Sequence, residues 1–342
     1  MTRTVAEVNT GPGFWLRNRP FDLFFIFGIP VIAILGGSLM VYDTQKFLVI
    51  ASINTMLLAQ PHIISTFTRI SFDRSSFKKH FFLVVPLPLI IITVVSVIAY
   101  STGSWLLATI YLYWQWWHYT RQSYGISRMY LSQTRASYSP HPLLDNYALY
   151  ALPLCGILYR SYQQPASFLG MNLYTFPIPF PAVVLTGAIA CILIMMQITH
   201  WSKAYRQGTL PLPYMLYIAS HYIIFTVGYL LIDNISLGWL VLSIWHNTQY
   251  MAFVWLYNNK RFHGGHDADE PFLSDISQTR MVLVYFFSCL FLAVLMNEVT
   301  KIIVTEVHPY SILPWMVILP MSINFHHYIV DAIVWKRKRR TF

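Results

Sequence analysis

The sequence predicts an all-α protein, a polytopic bundle of about ten membrane-spanning helices. Three observations predict it. Of 342 residues, 56% are hydrophobic and only 11% charged, where a soluble globular protein carries about 25% charged residues. Apolar runs near the roughly 20 residues needed to cross a bilayer recur along the whole chain. The basic residues between those runs fall almost entirely on alternate loops, as the positive-inside rule requires.

In order, the apolar runs cover 22–42, 46–70, 81–101, 105–125, 143–160, 179–199, 212–232, 236–258, 281–301 and 311–335. The fifth is the shortest and carries Pro153 and Gly156, so a re-entrant turn is its alternative. No stretch is long and polar enough for a soluble domain, and 1–342 reads as one integral membrane domain. From the Met-Thr-Arg start no cleaved signal peptide is expected, with the first run acting as signal anchor.

Charge supplies the direction. One set of loops holds Arg17 and Arg19, then Arg69, Arg74, Lys78 and Lys79, then Arg121, Arg128 and Arg135. It continues through Lys203, Arg206, Lys260 and Arg261 to the tail Lys336-Arg-Lys-Arg-Arg340. The other loops are nearly free of positive charge, with Arg160 and Lys301 as isolated cases. Both termini, the short stretch 1–20 and the tail 336–342, are therefore expected on the cytoplasmic side of the cell (inner) membrane. The net charge of +10 serves this orientation and contact with anionic lipid, and no nucleic acid partner is expected. Cys155, Cys191 and Cys289 stand singly in apolar runs and read as small core residues.

The chemistry lies in the histidines. His62, His118, His221, His246, His326 and His327 all sit inside apolar runs, where ionisable groups are costly and face a protein interior or cavity. At about 1.5 Å per residue, each lies roughly 10–18 Å from the cytoplasmic end of its run. They share one layer. Gln115, His118 and Gln122 occupy one helical face, Gln249 and Tyr250 follow His246 by three and four residues, and Asp331 follows His327 by four. A carboxylate there suits the outer partner of a metal-bound imidazole. Pro61 precedes His62, with Ser65, Thr66 and Arg69 on its side of the helix. His326 and His327 point about 100° apart, so one of them enters a given coordination sphere, and His327 is the choice.

Neutral imidazoles suit iron or another first-row transition metal. The expected function is a histidine-ligated, non-haem iron enzyme of oxygenase type, acting on a lipophilic small molecule with dioxygen. Two alternatives stand beside it: a proton or metal-ion transporter using a His/Asp relay, and a haem-binding or assembly protein with axial histidines. His200 reads as interfacial, the Trp114, Trp116 and Trp117 cluster as an aromatic belt, and Phe262–Glu270 with His263 and His266 as a solvated loop.

In its layout and scattered single histidines the chain resembles the Brp/Blh family of bacterial carotene-cleaving dioxygenases. That resemblance implies a multi-pass membrane protein with histidines holding one iron, and assigns no individual residue. The phrases Trp117–Gly125, His246–Tyr250 and His326–Lys336 also look like those of uncharacterised bacterial membrane proteins. The histidine boxes of membrane di-iron desaturases and hydroxylases are not in the sequence.

Overall fold

The structure is a computed structural model and describes residues 14–42, 45–134, 138–307 and 311–335. The tail 336–342, most of the amino-terminal stretch, Arg135 and His308 lie outside the described residues.

Each of the ten apolar runs forms a helix. Helix α1 comprises Arg19–Leu23, a π-helical turn Phe24–Gly28 and Ile29–Tyr42. Helix α2 likewise joins Lys46–Asn54, a π-helical turn Thr55–Ala59 and Gln60–Phe67. Both π turns have one cause. A proline in a helix cannot donate to the carbonyl four residues back, and Pro30 and Pro61 stand two residues past the ends of these turns. The ladder slips to a five-residue step, with Ile29 N–H donating to Phe24 O and Gln60 N–H to Thr55 O.

The helices that follow are α3 (Pro86–Thr102), α4 (Ser104–Gln133), α5 (Pro142–Gln163) and α6 (Phe180–Arg206). Then come α7 (Leu212–Thr226, extended by a π turn Val227–Leu231), α8 (Ile235–Arg261), α9 (Val282–Val307) and α10 (Trp315–Val334). The fifth run is one continuous helix of 22 residues with Pro153 inside it. A hairpin of β1 (Ser167–Phe168) and β2 (Met171–Asn172) is the one strand pair among the described residues. Its turn residues Leu169 and Gly170 have φ of 51° and 78°, the positive values a tight hairpin needs.

Seven helices among the described residues are long and apolar enough to cross a membrane: α1, α2, α3 (with the short helix before it), α6, α7, α9 and α10. The seven differ from the ten expected because α4, α5 and α8 are long enough, at 30, 22 and 27 residues, but more polar. Two of those three carry histidines of the predicted layer. Outward faces are apolar: Leu89, Leu185 and Phe291 are each more than 60% exposed, as for side chains meeting lipid.

The chain groups into two compact units. The first holds 1–47, 116–166 and 175–246. In it α5 packs along α6 and against α7, and Tyr130 stacks on Tyr217 with centroids 5.4 Å apart. Arg160, fully buried, closes the end of α7. Its guanidinium donates to the carbonyls of Gly228 (3.0 Å), Asp233 (2.7 Å) and Ile232, three acceptors left over where the helix stops.

The second unit holds 48–115, 167–174 and 247–342. In it α10 packs on α3, and the latter half of α2 on α9. Tyr111, Trp114, Phe325 and Tyr328 form one aromatic cluster, with ring centroids 5.2–6.4 Å apart, and the hairpin adds the fully buried Phe168 against Tyr111. Helices α4 and α8 run unbroken through both units.

Backbones approach closely at Gly228 and Gly238, where a Cβ on Gly238 would lie 2.0 Å from the Gly228 carbonyl oxygen. Backbone cannot yield as a side chain can. Gly238→Ala is expected to destabilise the protein by about 2–3 kcal/mol, read as a lowered melting temperature in detergent. Gly264→Ala, at a site with nothing within 4 Å, should melt with the wild type.

Candidate metal centre

The site is built first on α2, α8 and α10. The π turn ends at Ala59, just before a run in which Pro61, His62, Ile63, Ile64, Ser65 and Thr66 are all buried. His62 Nδ1 lies 2.7 Å from Asn247 Oδ1 on α8, and Asn247 in turn donates through Nδ2 to Asn54 Oδ1 at 3.3 Å. An amide oxygen only accepts. His62 is therefore protonated on Nδ1, and the lone pair of Nε2 is the one it offers to a ligand.

His327 is oriented by a second chain of bonds. Thr66 Oγ1 donates to Asp331 Oδ1 at 3.1 Å and lies 3.0 Å from His327 Nδ1. The hydroxyl has one hydrogen, for which Asp331 Oδ1 and Tyr250 Oη at 2.8 Å compete, so toward His327 it accepts from Nδ1–H. Nε2 of His327 then also carries a lone pair. Tyr250 Oη donates to the same Asp331 oxygen at 2.5 Å, and Trp335 Nε1 donates to Tyr250 Oη at 3.0 Å. The rings of His62 and His327 meet edge to face with centroids 4.5 Å apart, and Tyr250 lies 4.3 Å from His62.

On α4 and α8, His118 and His246 form a second edge-to-face pair, with centroids 4.9 Å apart, and Tyr119 lies 4.1 Å from His246. Gln122 donates to the main-chain carbonyl of His246 at 3.2 Å, holding that turn of α8. His246 is bonded directly to Asn247, so one step of α8 presents an imidazole and the next the amide that orients His62. One ligand atom from each of His62, His118, His246 and His327 falls in a group whose members all lie within 4.8 Å of one another, and all four residues are buried.

Nitrogens on opposite sides of one metal stand about 4.2 Å apart, twice a metal–imidazole bond of about 2.1 Å. Separations of up to 4.8 Å are of the same order, so the four ligand atoms stand close enough together to suit a single ion. This is a buried four-histidine group able to bind a metal within a helical membrane protein.

The other two histidines of the predicted layer stand elsewhere. Nε2 of His221 donates to the Leu149 carbonyl of α5 at 3.0 Å, and its ring lies 4.5 Å from Phe225. Nε2 of His326 donates to the Leu83 carbonyl at 2.7 Å, where the short helix Phe81–Val84 gives way to α3, and its ring stacks on Phe67. Gln115 donates to the Tyr111 hydroxyl at 3.1 Å, and Gln249 is fully buried one turn from His246. Asp331 reaches His327 through Thr66, its own Oδ2 lying 3.6 Å from Nε2.

Sequence reasoning missed Asn247 and Asn54, and gave Thr66 no part in the site. One signal in the chain separates the two kinds of histidine. Each clustered histidine has a polar residue four positions on, namely Thr66, Gln122, Tyr250 and Asp331, whereas His221 and His326 have Phe225 and Val330. Positions four apart share a helical face, so this spacing shows whether the ring looks into a polar centre or an apolar contact.

Beyond α2, Arg69 lies over the rings of Trp335 and Tyr257, its central carbon 4.0 and 4.3 Å from their centroids. Burial pushes its guanidinium down from the ordinary arginine value, and the two tyrosines Tyr257 and Tyr250 oppose that shift.

Comparison with protein-family models, with curated proteins and with solved structures finds no match.

The Asn247 contact makes a direct test. Outer partners of metal-bound histidines are worth about 10- to 100-fold in metal affinity. Asn247→Ala is expected to weaken metal binding by that order while circular dichroism stays unchanged. Competition titration with a chromophoric chelator measures it, and unchanged affinity would remove Asn247 from the site.

Proposed function

We propose that the four imidazoles hold one first-row transition metal, iron, and that the protein is a membrane oxygenase. The observation that carries this reading is the convergence of His62, His118, His246 and His327 on one buried point. Four neutral imidazoles match iron in ligand type and leave two of six octahedral positions open for dioxygen and substrate. A centre sunk among apolar helices is reached by lipid-soluble molecules and by dioxygen, so the substrate is a lipophilic small molecule. The likeness in layout to Brp/Blh-type dioxygenases agrees with this.

Convergence also weighs against the two alternatives. A proton or ion relay strings its groups across the membrane, whereas these imidazoles meet at one level. A haem needs two histidines on opposite faces of a wide flat ring, and four imidazoles sharing one point leave that plane occupied.

The reading includes a topology. All ten helices cross, α4, α5 and α8 being lined by the polar groups that keep their hydropathy low. Both termini face the cytoplasm of the cell membrane, as the Lys and Arg distribution supports.

Elemental analysis and optical spectroscopy of protein purified in detergent provide the test. A single iron atom per chain is expected, without a Soret band. His246→Ala and His327→Ala should lose the metal and keep their helical content, whereas His221→Ala and His326→Ala should retain it. Folded protein that takes up no iron, cobalt or zinc on reconstitution would exclude the proposal.

A further inference from the structure

The aromatic residue in closest contact with His62 has a hydrogen-bond arrangement that coordination alone does not require. Tyr250 is 2% exposed, and its ring lies 4.3 Å from that of His62 and 5.8 Å from that of His327. Its hydroxyl donates to the Asp331 carboxylate at 2.5 Å, a short bond of the charge-assisted kind. Trp335 donates to the same phenol oxygen at 3.0 Å.

A phenol resists losing an electron because its radical cation is so strong an acid that the proton must leave with the charge. A carboxylate already in hydrogen-bond contact removes that obstacle, since the proton has only the length of the bond to travel. Trp335 then donates to the phenoxyl oxygen that remains. The residues past Tyr250 act as a stop. A hole passed on to Trp335 would make a cationic ring directly beneath the Arg69 guanidinium, whose central carbon lies 4.0 Å from the ring centroid, and like charges at that distance repel. The hole therefore stays on Tyr250.

We infer that Tyr250 is a redox-active tyrosine, giving one electron to the metal centre through the His62 and His327 contacts and its proton to Asp331. The inference rests on the metal reading above. The step balances as follows. Hydrogen peroxide takes two electrons and two solvent protons and its O–O bond breaks to give two waters. One electron comes from ferrous iron, which becomes ferric, and one from Tyr250, which becomes a neutral phenoxyl radical as its O–H proton moves to Asp331 Oδ1.

The full chain in detergent is loaded with iron(II) without oxygen, its iron content measured, then mixed with hydrogen peroxide and frozen for electron paramagnetic resonance. The expected result is a neutral tyrosyl signal that narrows when the protein carries ring-deuterated tyrosine. Tyr250→Phe should keep its iron and lose the signal, while Trp335→Phe and Tyr119→Phe keep both. Peptide mass spectrometry after peroxide treatment gives a second readout, with oxidation expected at Tyr250. An iron-loaded protein showing neither radical nor oxidised Tyr250, or a Tyr250→Phe protein with an unchanged signal, overturns the inference and leaves the metal reading standing. Failure to load iron at the outset strikes the metal reading itself.

Discussion

Every buried imidazole must place its one N–H, and where it does so decides what the ring can become. A neutral histidine has one donating and one accepting nitrogen, and in an apolar interior the donor needs a partner. His221 and His326 spend theirs on the main-chain carbonyls of Leu149 and Leu83, which ties helices together. His62 and His327 spend theirs on side chains, Asn247 and Thr66. One ring nitrogen of each belongs to the buried four-histidine group. The difference between a histidine that fastens helices and one that can hold a metal thus lies in one hydrogen bond.

The same bond explains how much of the centre the sequence discloses. Ten helices are legible because apolar run length fixes them. Run length says nothing about rotation about the helix axis, and His221 and His326 stand in apolar runs like the others while bonding to main-chain carbonyls. The polar residue four positions on carries that rotational information, as Thr66, Gln122, Tyr250 and Asp331 show. Asn247 follows a histidine directly, about 100° round the helix. Its target, His62, is 185 residues away, a pairing that no local pattern encodes. The hairpin at Ser167–Asn172 was hidden for a related reason. Its two-residue strands are too short to alternate, and only Gly170 hints at the turn.

One departure from ideal helix lies where the site needs it. Pro61 costs α2 a hydrogen bond, and the π turn at Thr55–Ala59 recovers a ladder by adding a residue to the turn. An inserted residue rotates everything beyond it by about 100° relative to an unbroken helix. Asn54 lies before the turn and His62 after it, yet both meet Asn247. The π turn brings to one amide two residues eight apart, which a regular 3.6-residue repeat would set about 80° from each other. Helix α1 shows the same arrangement before Pro30 without a histidine, and α7 has a π turn with no proline after it.

Charge is the remaining constraint on a metal here. Four neutral imidazoles leave a divalent ion with both its charges uncompensated, in surroundings where isolated charge is expensive. The carboxylate available is Asp331, placed one residue behind His327 through Thr66 and sharing its oxygen with Tyr250. Held at that remove it offsets part of the ion's charge without occupying a coordination position. Arg69 lies over the Trp335 ring, its central carbon 4.0 Å from the centroid. A carboxylate bound directly would stabilise an ion more and would take one of its coordination positions.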